Sequence, residues 1–410
     1  MNNRLIWKLA FRYLLGRGSA NATPVLSRIS MGAVAVSSAA MIIIFSVFNG
    51  LESLVKDTYK VFYPDIKISA ARGKFFAVDS NKIKEIKNLK GIQIVTPVAE
   101  DKVFAVNNDQ QNIITLKGIE NDYISLTGLK QYLGPGSADS VSTGSPSTAI
   151  AGRHILNQLG ADMNTLSRLV LNYINPDTKN PAADPLNAIV TLKLYPAGEF
   201  MVSDEFDSKF VLAPLVLVQQ LFHQPGRCSS LEIKAEPEAI AGLQTQLQKL
   251  LGSTFKVETR FEQNKSLYMV ESGEKWAVFA ILVLVLFIAT FNMTGALSML
   301  VLQKRKDIAI LRAMGAQGAT IRSVFLLEGL LWSFTGGLIG ILLGCGICLI
   351  QLQWKLIKMG GSFLVDAFPV QIQFRDILLD LGTILIVGLI ISWYPAIRAT
   401  RAADPSLKST

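Results

Sequence analysis

Apolar residues in this chain are clumped rather than spread. Ile29–Leu51 is an uncharged run of 23 residues and Trp276–Leu302 one of 27. Val324–Leu352 and Ile377–Ile397 are similarly apolar, each interrupted by a single carboxylate, Glu328 and Asp380. A helix of about 20 apolar residues crosses the hydrocarbon core of a bilayer, so the pattern predicts four transmembrane helices. The 27-residue run is longer than a bilayer needs, which predicts tilt or a helix that rises above the membrane. Arg260–Trp276 is polar but compatible with a helix, and is either a linker or a stalk that extends the second span. Between the first two runs, Glu52–Lys275 holds no stretch that could cross. The predicted fold is an α-helical membrane domain of four transmembrane helices plus a large α+β domain, residues 52–275, inserted between the first and second spans.

Inside the insert the period shortens. Asp65–Ala70, Ile92–Val98, Val103–Asn107 and Asn112–Gly118 read as strands, the last two joined through Asn107-Asn108-Asp109. Asp79 is placed to cap a helix running to Leu89, and Ala149–Gly160 reads as a helix ending at Gly160. Leu133–Ser147 is a loop by composition. Phe206–Leu221 reads as strand then helix. Leu231–Lys234, Glu238–Leu251 and Phe255–Thr259 give strand, helix, strand. Mixed short elements of this kind predict an α+β domain, with a division into two subdomains around residues 120–200. Asn175–Asn187 carries Pro176, Lys179, Pro181, Asp184 and Pro185 between two predicted strands. Proline cannot join a central ladder, so this segment is either an ordinary loop or a projecting arm.

Charge orients the picture. Arg28, the cluster Lys304-Arg305-Lys306, and Arg398 with Arg401 each flank an apolar run. Basic residues beside spans stay in the cytoplasm, which predicts both termini inside and the insert outside. Met1–Gly18 interleaves Leu5, Ile6, Leu9 and Leu14 with Arg4, Lys8, Arg12 and Arg17. That reads as a basic amphipathic helix at the membrane surface within residues 1–28. A signal peptide is the rival reading, disfavoured because the apolar core does not follow directly. The net charge of +9 is explained by these flanks and does not imply nucleic acid.

Gln303–Glu328 joins spans 2 and 3. Ile308, Leu311 and Met314 recur at helical spacing beside the basic cluster, and Gly315 can end that helix. The predicted element, residues 303–322, is either a simple connector or a helix at the membrane face that receives a push from a cytoplasmic partner. Span 3, residues 323–352, carries Gly336, Gly337, Gly340 and Gly344, which predicts close packing against another span. Glu328 near its inner end either pairs with Arg322 or snorkels. A proton relay is disfavoured because no second acid accompanies it deep in the spans, Asp380 lying near the outer end of the fourth. Residues 353–376 form an external loop, 377–397 the fourth span and 398–410 a cytoplasmic tail.

Chemistry is sparse. The three cysteines, Cys228, Cys345 and Cys348, form no disulfide framework, and two histidines offer no metal-site spacing. There is no phosphate-binding G-x-x-x-x-G-K-[ST] loop, no nucleophile elbow and no pair of catalytic acids. The chain is not expected to be an enzyme, nor to bind a cofactor itself.

KRKDIAILRAMGAQGATIRSVFLLEGLLWSFTGGLIGILLG, from Lys304, resembles the FtsX-type permease domain of ABC transporters of the MacB/LolCE class. The matching features are Arg305, Asp307, the Ile308–Ala316 core and Leu327-Glu328-Gly329. Asp307 stands where that family more often has Glu. The tail residues Pro395, Ala396, Arg398, Ala399, Asp404 and Pro405 resemble its P-A-x-R-A-x-x-x-D-P terminus. Asn49–Glu52 and the Tyr63–Ile68 strand resemble the Lol branch more loosely, with Leu51 and Asp65 in place of Phe and His. Phe206–Leu221 resembles a D-x-x-x-x-V-P-L element, and Gly152 and Gly160 echo an I-G-x-x-L-A-x-x-L-G element.

The resemblance implies a LolC/LolE-like subunit of the bacterial inner membrane with a MacB-like periplasmic domain. It implies a separate cytoplasmic ATPase dimer holding ATP and Mg²⁺, coupled through Lys304, Arg305, Lys306, Asp307, Ile308, Leu311, Arg312, Met314 and Gly315. It implies a second copy or a paralogous permease, and a lipidated protein substrate drawn from membrane lipids against Met41, Ile44, Phe48, Phe279, Val283 and Phe287. It also implies a periplasmic lipoprotein chaperone, engaged by the proline-containing arm. A MacB-like export permease and an FtsX-like activator of a cell-wall hydrolase are the alternatives within the same family.

Overall fold

The computed structural model describes residues 23–77, 80–107, 109–135, 137, 141–144, 146–161, 163, 167–174, 189–359 and 367–401. The arm at 175–187, Asp79, the tail beyond 401 and most of the segment 1–28 lie outside these residues. The chain divides into two compact units: residues 1–53, 270–358 and 367–410, and residues 54–269 with 359–366.

Among the described residues, four helices are long and apolar enough to cross a membrane, and most of their length lies in the first unit. They run Thr23–Phe62, Lys265–Gln303, Gly318–Trp354 and Phe374–Arg401. The first continues past the end of its apolar run, because nothing breaks it until Pro64, whose ring disfavours helix in the residue before it. The second includes most of the expected stalk and starts at Lys265, after a short helix Arg260–Gln263 closed by a Thr259–Glu262 capping box. The third begins at Gly318 rather than 323. Gln317 is extended there and serves as N-cap. The connector of 303–322 is therefore a nine-residue helix, Arg305–Ala313, then a turn at Gly315 with φ +87°.

Glycine decides how the spans pack. Gly336, Gly340 and Gly344 fall every fourth residue and face the first span. A Cβ on Gly340 would overlap the Ala35 carbonyl and Ser38, one on Gly336 would crowd Val34, and one on Gly344 would crowd Ile42. Gly337 presses on Ile384 of the fourth span, Gly329 on Ser392, and Gly388 on Ser333. In lipid, apolar side chains gain little from one another, so close backbone approach supplies the attraction. The expected packing of span 3 against one neighbour is in fact packing against two.

Among the described residues, the second unit is built on eleven strands: β1 (Ile66–Ala70), β2 (Phe76–Ala77), β3 (Ile92–Asn107), β4 (Gln110–Ile119), β5 (Thr148–Gly152), β6 (Leu169–Ile174), β7 (Ile189–Phe200), β8 (Phe210–Pro214), β9 (Arg227–Cys228), β10 (Ser230–Ala235) and β11 (Phe255–Thr259). Nine form one sheet in the order β11-β1-β10-β3-β4-β8-β5-β7-β6, and β6 pairs back onto β3. Six strands thus close a ring, while β11, β1 and β10 extend an open sheet from the other half of β3. Two expected strands, Ile92–Val98 and Val103–Asn107, are one. The polar link Ala99–Lys102 stays extended because it pairs with Thr115–Gly118.

The expected helix Ala149–Gly160 is also corrected. Its first residues form β5, held between β7 and β8. Only Arg153–Leu159 is helical, ending at Gly160 with φ +60°. At the junction Gly152 lies against the Asp207 backbone, where a Cβ would overlap the carbonyl. One core fills the ring, with Leu116, Leu171, Leu194 and Val211 fully buried, and another lies under the open sheet around Ile66, Ile68, Ile233 and Leu247. Cys228 is buried, and burial pushes its thiol up to about 12.

Candidate coupling site

Lys304 sits at the break between the second-span helix and the helix Arg305–Ala313. It adopts φ −88° and ψ 12° as the N-cap of the latter. Its ammonium lies 3.2 Å from Asp307, one turn on. Ile308 turns inward and is 2% exposed, packed with Leu300, Val301, Ile321 and Phe325. Arg312 donates to the Thr400 carbonyl at 3.1 Å, which ties this helix to the end of the fourth span. Gly315 donates its N–H back to Arg312 and Ala316 to Leu311, closing the C-terminus.

The apolar face differs from the expected one. Ile308 is buried and Leu311 half-buried, but Met314 is 77% exposed. Met314 is the C-cap, one residue past the helix, and it turns to solvent instead of continuing the face of Ile308 and Leu311. Met314 instead pairs in spacing with Ile310, which is 59% exposed. Sequence reading missed Ile310, although the i, i+4 spacing to Met314 was there to be read. The exposed surface is thus Ile310 and Met314 rimmed by Arg305 and Lys306, with Asp307 half-buried against Lys304.

Other expected site residues are distributed differently. Met41 is 1% exposed and so does not face lipid. It lies on the stripe Val34, Ser38, Met41, Phe45 and Asn49, buried at three- and four-residue spacing. Ile44, Phe48, Phe279 and Val283 are half-buried, and Phe287 is exposed. Arg322 does not pair with Glu328; its guanidinium lies over the Trp393 ring at 5.5 Å. Glu328 is fully buried, and neither carboxylate oxygen has a hydrogen-bond partner among the described residues. A second buried acid exists after all: Asp380 accepts from Ser38 Oγ at 2.7 Å. No group of three metal-ligating side chains occurs among the described residues.

Residues 279–403 match the family model described as FtsX-like permease C-terminal. That part of the chain is an FtsX-like permease domain. Over 98% of its length the chain is 24% identical to the lipoprotein-releasing system transmembrane protein LolE of Haemophilus influenzae, also covering 98% of that protein. It is 22% identical to LolC of Neisseria meningitidis, with 96% of each chain covered. The periplasmic region of MacB from Actinobacillus actinomycetemcomitans aligns with 53% of this chain and 98% of its own, at 15% identity and a TM-score of 0.36. The chain is thus a LolC/LolE-like ABC permease of the FtsX type, a multi-pass membrane subunit that is a non-catalytic component of its transporter. A permease of this class implies a partner ATPase.

Proposed function

We propose that this FtsX-like chain is a permease subunit that extracts lipid-anchored proteins from the inner membrane and hands them to a soluble carrier on the far side. The observation that carries the reading is the exposed Ile310–Met314 pair with its basic rim, in a chain similar over nearly its whole length to lipoprotein-releasing proteins. A cytoplasmic ATPase dimer, holding ATP and Mg²⁺, docks on that pair. ATP-driven closure displaces the helix Arg305–Ala313. Arg312 and Ile308 pass the displacement to the fourth and third spans, because packed helices shift as discrete bodies. Each CH₂ withdrawn from lipid costs about 0.8 kcal/mol, so removing whole acyl chains needs coupled hydrolysis. Both termini lie in the cytoplasm and the large domain in the periplasm. There the arm at Asn175–Asn187, with Lys179 and Asp184 at its centre, engages the carrier. A second copy or a paralogue completes the membrane path.

The test is release of a triacylated lipoprotein from proteoliposomes holding this chain, its partner permease if one is needed, and the ATPase, with soluble carrier outside. ATP-dependent release, lost in an Ile310→Asp/Met314→Asp variant that no longer retains the ATPase, is the expected result. Hydrolysis without release in an intact complex would turn the reading to export or signalling.

A further inference from the structure

Span 2 is anchored at one end only. From Leu286 to Val301 it buries Leu286, Thr290, Met293, Ala296, Leu297, Leu300 and Val301 in the membrane unit. From Gly273 to Val285 it buries none. That half, which leads in sequence from the large domain, is held by few contacts. Phe279 tilts against Phe45 of span 1, with centroids 5.8 Å apart. The rest is polar. Lys275 donates to Asn49 Oδ1 of span 1 at 2.7 Å and lies 3.7 Å from Asp376 at the start of span 4. Asn49 Nδ2 in turn donates to Asp376 at 2.5 Å and to the Gln371 carbonyl at 3.3 Å.

Asn49 and Asp376 are 1% and 6% exposed. They are braced from behind: Gln371 donates to the Ser46 carbonyl at 2.8 Å, and Pro369 fills the space where Gly50 has no Cβ. Spans 1 and 4 therefore form a fixed acceptor site, and Lys275 is the movable member, 30% exposed and carried on the loosely packed half of span 2. An ion pair sharing a buried amide at the edge of a bilayer is costly to retain for packing alone. Its contact is also of a kind that breaks sharply. A few ångströms of movement lose the hydrogen bond and the ion pair together, whereas dispersion contacts fade gradually.

We propose that Lys275, Asn49 and Asp376 form a releasable clasp. It holds the domain-leading half of span 2 against spans 1 and 4, and its opening frees that half to move away from them. The clasp stands apart from the function proposed above. Lys275 is a positioning residue, touching span neighbours rather than cargo.

The experiment places spin labels at Leu284 and Leu378, exposed residues of spans 2 and 4, in a cysteine-free background of the ATPase complex in lipid nanodiscs. The clasp predicts one distance at rest and a longer one when the complex is trapped with ATP analogue. Lys275→Ala gives the longer distance without nucleotide, Lys275→Arg keeps the resting one, and Lys275→Asp with Asp376→Lys recovers it. A Lys275→Ala complex that assembles normally and keeps the resting distance overturns the clasp. So does a wild-type distance that never changes through the cycle, which would make the trio a static staple. A clasp that opens in a complex releasing no lipoprotein would instead sink the functional proposal and leave the clasp standing.

Discussion

The two units reach close packing by opposite means. The large domain follows the rule of water: β-strands bury Leu116, Leu171, Leu194 and Val211 away from solvent, and large side chains fill the ring. The membrane unit inverts it. Its seam between spans 1 and 3 is made by residues with no side chain, Gly336, Gly340 and Gly344, set against Val34, Ala35, Ser38 and Ile42. Apolarity alone therefore predicts burial in one unit and not in the other. Spans 2 and 3 make the point within one unit: 39% of the most apolar window of span 3 is buried against 17% of that of span 2. What separates them is the spacing of glycine.

The sharpest way to break the contrast is Gly340→Leu. The new side chain meets the Ala35 backbone, which cannot yield as a side-chain tip can. Destabilisation of about 3 kcal/mol or more is expected, read as a lowered thermal midpoint in nanodiscs with loss of the assembled complex. A midpoint near the parent's would mean that spans 1 and 3 do not rely on this seam.

A comparable effect, confined to the water-exposed unit, comes from pH. Asp207 is 1% exposed, and burial raises its carboxyl from its ordinary 3.8 to about 6, against hydrogen bonds from Val202 and Ser203 that oppose the shift. Between those values the folded chain binds the proton more tightly than the unfolded one. Stability is then greatest below about pH 4 and falls as pH rises through 6, by about 3 kcal/mol from this group. Asp207→Asn keeps an acceptor for the Val202 N–H and should flatten that slope in unfolding measured from pH 4 to 7. An unchanged slope would show that Asp207 ionises as it does in the unfolded chain.

The smallest effect is expected at Ile288, which is 62% exposed on span 2. Ile288→Ala removes contacts with lipid only, so stability should stay within about 0.5 kcal/mol of the parent. A loss of several times that size would mean that another protein surface covers this face.

Legibility from sequence followed the range of the interactions. The spans, the glycine stripe and the Lys304–Gly315 element were readable because each is local and periodic. Met314 and Met41 lie on sides other than the expected ones, because apolar character does not say which side of a helix meets protein, and Met314 falls just past its helix's end. Proximity in sequence offers Arg322 as a partner for Glu328, with snorkelling as the alternative, whereas Arg322 lies over the ring of Trp393, seventy-one positions away. The ring of strands was out of reach for a stronger reason. Its closure joins Phe104 to Asn172, and one of its two parallel pairs joins Leu116 to Val211, pairings that leave no trace in local pattern. The clasp escaped as well, because Asn49, Lys275 and Asp376 each looked like an ordinary residue at the end of a span.

The sixteen residues of β3 belong to both halves of the large domain. Its first half pairs with β10, its second with β4 and β6. Lys117 of β4 meets Glu232 of β10 across the same strand at 2.8 Å, both buried. Tension applied to either half therefore runs along covalent backbone into the other, without crossing a slip plane of side chains. The two halves share one load path, and they should unfold in a single transition rather than one after the other.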